Sequence, residues 1–100
     1  LERPNHLYLI MGVLEDKNYK EMAEIISGMA DFSWTVKPTS SRGLDAEKLA
    51  SLLTNAKPAS SVKEALIQAL IKMLPGDLLL ITGSFFILGE LYEALDELDI

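Results

Sequence analysis

Three places in this 100-residue sequence put a hydroxyl or a cation where an α/β chain would turn from strand to loop. Gly83-Ser84 follows an apolar run and opens a helical pattern. The first N–H groups of that helix, with the Ser84 hydroxyl, can therefore hold a carboxylate or a phosphate. The plainer reading is structural: Gly83 permits a tight turn and Ser84 caps the helix. A nucleotide-binding loop of the Walker type is excluded here, because the Gly-Lys-Ser/Thr ending is absent. Lys17 and Arg42 each stand just past an expected strand end, two cations on one rim that would suit an acidic ligand. Ordinary surface charge is the plainer account of both, more so for Lys17, which follows Glu15 and Asp16.

Other chemistry is thinly provided. His6 is the only histidine and has no cysteine or acidic cluster near it in sequence, so it reads as solvated and not as a metal ligand. Asp16 and Asp77 lack a paired carboxylate at suggestive spacing, and turn or cap roles explain both. Met22, Met29 and Met73 fall on helical stripes and are expected in the core. The absence of cysteine rules out a disulfide framework, a thiolate zinc site and a cysteine nucleophile, and it fits the cytoplasm.

Charge narrows the partners. At a net charge of −6, with nine Lys and Arg scattered along the chain, no basic stripe exists to follow a nucleic-acid backbone. Glu90, Glu93, Asp96, Glu97 and Asp99 alternate with leucines and read as a solvated helix face. The longest apolar run, residues 78–89, is interrupted by Thr82, Gly83 and Ser84 and falls short of the ~20 residues a membrane helix needs. Residues 1–5 have neither the apolar core nor the cleavage site of a signal peptide and do not start with methionine, so the chain is expected to begin within a longer protein.

The elements that must position Lys17, Arg42 and Ser84 follow from periodicity. Residues 6–14 form a near-continuous apolar run, the composition of a strand buried on both faces. Asn18 with Glu21 offers a helix start, and Met22, Ile25, Ile26 and Met29 recur at helical spacing to about Ala30. Residues 32–37 predict a second strand, closed by Pro38. After a loop at 39–43, Asp45 is expected to cap a helix carrying Leu49, Leu52 and Leu53. Residues 56–60 suggest a short edge strand around Pro58. Ser61 and Glu64 give the capping-box pattern for a third helix with Val62, Ala65, Leu66, Ala69, Leu70 and Met73 inward. Residues 78–82 make a fully apolar strand, and the last helix carries Leu88, Leu91, Leu95 and Leu98 in register. Strands separated by helices call for crossover connections and a mostly parallel sheet between helical layers, a three-layer Rossmann-like α/β domain spanning residues 1–100. Ligands of such sheets bind at the carboxyl ends of the strands, which here means residues 12–18, 37–45 and 82–86.

Three segments together resemble one family. Met11-Gly12-Val13-Leu14-Glu15-Asp16-Lys17, Lys37-Pro38-Thr39-Ser40-Ser41-Arg42-Gly43-Leu44-Asp45 and Leu80-Ile81-Thr82-Gly83-Ser84-Phe85-Phe86-Ile87-Leu88-Gly89-Glu90 resemble, in order and spacing, the C-terminal domain of folylpolyglutamate synthase. That family is related to the Mur ligases of cell-wall synthesis. The resemblance implies a cytoplasmic ligase that uses ATP and Mg2+ to activate a carboxylate as an acyl phosphate, which the amine of glutamate then attacks. It implies an N-terminal ATPase domain of the same polypeptide holding the phosphate loop, the metals and the folate, with this lobe presenting the amino acid. By the same resemblance Lys17 and Arg42 match residues that contact the amino acid, and Ser84 and Phe85 match the turn that closes around its side chain.

The departures carry expectations too. The family's Asp-Gly-Ala-His-Asn-Pro segment and the helix after it are absent, as is the phosphate loop, so the first strand and helix of the family domain are missing. This piece alone is therefore expected to bind neither ATP nor Mg2+ and to be inactive, with no catalytic or metal-ligating residue of its own. Ser41-Arg42-Gly43 replaces the family's usual Pro-Arg-Ala. Two alternatives stay open on sequence: a Mur ligase of peptidoglycan synthesis, and a non-enzymatic flavodoxin-like or receiver-like binding module. Glu15 and Asp16 are a poor imitation of a receiver's acidic cluster.

Overall fold

The computed structural model describes residues 3–100; the expectations that concern Leu1 and Glu2 lie outside the described residues. Strands and helices alternate throughout: β1 (Leu7–Gly12), α1 (Tyr19–Ser27), β2 (Phe32–Thr35), α2 (Ala46–Ala50), β3 (Ala56–Pro58), α3 (Val62–Lys72), β4 (Leu78–Gly83) and α4 (Phe85–Glu97). The strands form one sheet in the order β3-β2-β1-β4. Every pairing is parallel, as the intervening helices require.

The sheet order explains the hydropathy of its strands. β1 is hydrogen-bonded on both edges and covered on both faces, so Leu9, Ile10 and Met11 are at most 3% exposed. Successive β1 side chains point to opposite faces and divide the interior in two. Tyr8 and Ile10, with Trp34 and Val36, pack under α3 and α4 through Val62, Ala65, Leu66, Ala69, Ile87 and Ala94. Leu9, Met11 and Val13 pack under α1 and α2 through Ala23 and Leu49, joined by Leu53 just past α2. Pro58 falls in the edge strand β3, where its missing N–H costs no ladder bond.

Several expectations are corrected. β1 stops at Gly12, and Val13 and Leu14 leave the sheet to meet another loop. β2 ends at Thr35 and α1 at Ser27, short of the predicted bounds. Ile25 and Leu70 were expected inward but lie on the exposed sides of α1 and α3, which touch the sheet along a narrower stripe than the sequence suggests, and Met29 and Leu52 fall past the ends of α1 and α2 and are exposed. In α4 the buried stripe is Ile87 and Ala94, and Leu88 faces out. β4 is apolar throughout yet leaves Leu78 and Leu80 exposed, since it lies at the sheet edge.

Only one of the predicted caps at Asn18, Asp45 and Ser61 forms. The Ser61 hydroxyl accepts the Glu64 N–H at 3.0 Å, while the Glu64 carboxylate turns away to Gln68. The Asn18 side chain bonds the Glu21 carboxylate instead of the helix backbone. Asp45 makes no cap bond and stands 3.3 Å from the Lys37 ammonium. Among the described residues, no helix is long and apolar enough to cross a membrane.

Candidate functional site

The site grows from three chain reversals at the carboxyl tips of β1, β2 and β4. Past β1, Val13 and Leu14 remain buried and the chain turns, with the Lys17 N–H donating to the Leu14 carbonyl at 3.2 Å. That leaves Glu15, Asp16 and Lys17 exposed on the rim. Past β2, Pro38 is fully buried and the chain folds tightly, Ser40 N–H to Pro38 carbonyl at 2.8 Å and Gly43 N–H to Ser40 carbonyl at 3.0 Å. Only glycine fits at 43, because a Cβ there would lie 2.5 Å from the Pro38 carbonyl oxygen.

These two loops are stitched together. Leu14 and Gly43 form an antiparallel bridge, flanked by Leu44 N–H to Val13 carbonyl at 2.9 Å and Glu15 N–H to Arg42 carbonyl at 2.7 Å. The third reversal is Gly83, whose φ of 124° is open to glycine and strained for other residues. The Ser84 N–H then donates to the Gly12 carbonyl at 2.8 Å, and the Ser84 hydroxyl accepts the Phe86 N–H at 3.1 Å to start α4. The structural reading of Ser84 as a cap is thus correct, and the same residue also faces a cleft.

Lys17, Arg42, Ser84 and Phe85 all line that cleft, whose volume is about 470 Å³. Val13, Leu14 and Met22 supply its apolar lining. Phe85 is 90% exposed, an aromatic ring held in solvent at a helix start. Arg42 donates from Nη1 to Asp16 Oδ2 at 2.5 Å, with both side chains about half exposed. Lys17 makes no ion pair among the described residues. The arrangement offers an acidic ligand two cations, one oriented by a carboxylate, beside a hydroxyl and the positive end of a helix.

Two residues of interest escaped the sequence reading. Asp16 was assigned a turn role, but its carboxylate orients Arg42 across the stitched loops. Glu90 was placed on a solvated face, but its Oε2 is buried without a hydrogen-bond partner. Burial pushes the Glu90 carboxyl above its ordinary value and Glu93 adds to this, while the nearby Thr39 N–H opposes it.

At the opposite end of the sheet, His6 is not simply solvated. Its Nδ1 lies 3.1 Å from Asp77 Oδ1, whose side chain is 1% exposed. Asp77 also accepts the Leu74 N–H at 2.9 Å, the turn role expected of it. This pair is remote from the cleft. Among the described residues no three His, Asp or Glu are grouped to hold a metal ion, and the turn at 83–86 lacks a phosphate-loop lysine. The residues present do not fit a nucleotide–metal site, so no chemical step is routed through one on this chain.

Known proteins share this fold. Residues 1–85 match the family described as Mur ligase, glutamate ligase domain. No curated protein sequence matches. Among solved structures, Escherichia coli FolC in complex with ADP and without folate substrate superposes with a TM-score of 0.90 at 25% identity, covering 99% of this chain and 24% of that one. The bifunctional folylpolyglutamate synthase/dihydrofolate synthase of Yersinia pestis, complexed with AMPPNP and Mn, gives 0.80 at 24% identity over 95% of this chain and 22% of that one. A bifunctional folylpolyglutamate synthase/dihydrofolate synthase with Mn, AMPPNP and L-glutamate bound gives 0.77 at 23% identity over 95% and 23%. The chain therefore spans about a quarter of the length of the structures it matches. The family match favours a ligase lobe over a receiver-like module, and the fold agrees with it: this chain belongs to the Mur ligase, glutamate ligase domain family.

Proposed function

We propose that this chain, residues 1–100 as one domain, is the amino-acid-presenting lobe of a cytoplasmic ligase that adds glutamate to folate. The reading rests on one observation above all: Lys17, Arg42, Ser84 and Phe85 line a single cleft at the strand tips. Glutamate is an acidic ligand with two carboxylates, and the cleft sets two cations against a helix start. Arg42 and Lys17 meet carboxylate oxygens, the Ser84 hydroxyl with the first turn of α4 meets another, and Phe85 covers the aliphatic part of the ligand. Held at both ends, the ligand's amine is left free to attack.

ATP and Mg2+, held with the folate by an N-terminal ATPase domain of the same polypeptide, would supply the phosphoryl group that activates the folate carboxylate. The contribution of this lobe is orientation, which turns a collision between amine and carbonyl into a positioned attack. On this reading the isolated lobe is inactive. Dihydrofolate synthase activity in the same polypeptide is compatible with it.

The test is kinetic, in the complete ligase. Arg42→Ala and Lys17→Ala are each expected to raise KM for glutamate by about 10- to 100-fold, the loss of one charge-assisted contact. The KM for ATP should stay unchanged. An unaltered glutamate KM in both variants would remove the site assignment.

A further inference from the structure

We propose that Asp16 is a specificity-determining residue: its carboxylate, held against Arg42, balances the charge of the cleft, so that the cleft takes an amino acid and turns away phosphate. This deepens the reading of the cleft as a glutamate site and rests on it.

The pair is placed by the backbone. The Arg42 loop and the β1 loop are joined on both sides of the Leu14–Gly43 bridge, through Glu15 N–H to the Arg42 carbonyl at 2.7 Å and Leu44 N–H to the Val13 carbonyl at 2.9 Å. The Arg42 N–H also donates to Ser40 Oγ at 3.2 Å. With both loops pinned, Arg42 Nη1 donates to Asp16 Oδ2 at 2.5 Å. The two side chains are 56% and 48% exposed, and an ion pair so open to water contributes little to stability. What it changes is the charge that an arriving anion meets.

That charge can be counted. Lys17 and Arg42 are the cations of the cleft lining, whose other polar side chains are Asn18 and Ser84. Two carboxylates that are not part of the lining are bonded to it, Asp16 to Arg42 and Glu21 to the Asn18 amide. Two positive and two negative side chains cancel, which leaves only the partial positive charge at the start of α4. Without Asp16, Lys17 and Arg42 would approach the doubly cationic site that suits a phosphate dianion. With it, one guanidinium N–H is occupied and four remain, enough for a two-point contact with a planar carboxylate.

The ligands differ in charge. Glutamate carries a single net negative charge, its ammonium balancing one of its carboxylates, whereas phosphate in mildly alkaline solution is a dianion. Repulsion from Asp16 scales with the charge it acts on and falls about twice as heavily on phosphate. On the proposed function the reaction releases inorganic phosphate, an anion that would otherwise compete with glutamate for Arg42. Asp16 thus gives up some affinity for discrimination.

The test uses Asp16→Asn, which removes the charge and keeps an oxygen for Arg42 Nη1. Inorganic phosphate is titrated into the 100-residue chain at low ionic strength, with the amide resonances of Arg42 and Ser84 as the readout. Phosphate should bind Asp16→Asn about tenfold more tightly than wild type, the effect of one weakly screened charge on a dianion. Adding Arg42→Ala to Asp16→Asn should abolish the gain. In the complete ligase, phosphate should compete with glutamate about tenfold more strongly in Asp16→Asn, while glutamate KM falls by no more than about threefold, the response of a ligand with half the charge. Glu15→Gln, which removes the neighbouring carboxylate, should shift phosphate binding by less than about twofold. Unchanged phosphate binding in Asp16→Asn overturns the proposal. So does an equal gain for glutamate and phosphate, or an equal gain in Glu15→Gln. A phosphate gain in the chain beside a wild-type ligase that does not use glutamate upholds the charge balance and overturns the proposed function instead.

Discussion

Gly12 and Gly83 face each other across β1 and β4 so closely that a Cβ on Gly83 would lie 1.9 Å from the Gly12 carbonyl oxygen. That carbonyl also accepts the Ser84 N–H. The two glycines thus let the turn that begins α4 sit directly against the end of the central strand.

Gly83→Ala is expected to be severe. The left-handed backbone alone costs about 1–3 kcal/mol for a residue with a Cβ, and the clash with backbone adds to it. Urea unfolding of the variant should show a midpoint well below that of the wild type. A midpoint within error of wild type would mean that the two strands can separate there without penalty.

The helix starts differ in a measurable way. Ser61→Ala removes a formed cap and should cost about 1 kcal/mol, whereas Asp45→Ala removes none and should stay within about 0.5 kcal/mol. Thermal unfolding of the two variants side by side decides this, and a larger loss at Asp45 would contradict the observed geometry.

Trp34 is 2% exposed and its indole N–H donates to Gln68 Oε1 at 2.9 Å. Gln68→Leu strands that donor inside the core and should destabilise by about 1–3 kcal/mol. In a Glu64→Ala background, which removes the carboxylate facing this side chain, Gln68→Glu keeps an acceptor and should lose less than Gln68→Leu. Equal losses for the two would indicate that the indole finds water.

Asp77 gives the stability a pH signature. The Leu74 N–H holds its carboxyl below the ordinary 3.8, helped by His6 and opposed by desolvation. Because the folded value is lower than the unfolded one, the contribution is present above 3.8 and disappears as the pH falls through the depressed value. The stability gap between wild type and Asp77→Asn should therefore be widest near neutral pH and close in acid. A gap that does not vary with pH would show that the charge is irrelevant there.

Much of the fold was legible because the strongest patterns coincide with the most central elements. Leu9, Ile10 and Met11 are apolar on consecutive positions because β1 has neighbours on every side. Lys17, Arg42 and Ser84 were legible as a group because strand tips in a parallel sheet converge on one rim. Leu78 and Leu80 were not, since an apolar strand does not announce whether it lies at an edge. The Arg42–Asp16 pair and the buried oxygen of Glu90 depend on which loops and helices touch. Such adjacency is fixed by sheet order and by the Leu14–Gly43 bridge, neither of which leaves a local trace in the sequence.

The bridge between the β1 and β2 loops changes what a ligand must do on arrival. Two independent loops would each surrender conformational freedom on binding, and that cost would be subtracted from the affinity. Joined at Leu14 and Gly43, they have already given up that freedom during folding, so on the proposed function the loops carrying Lys17 and Arg42 would meet the ligand as one preorganised unit.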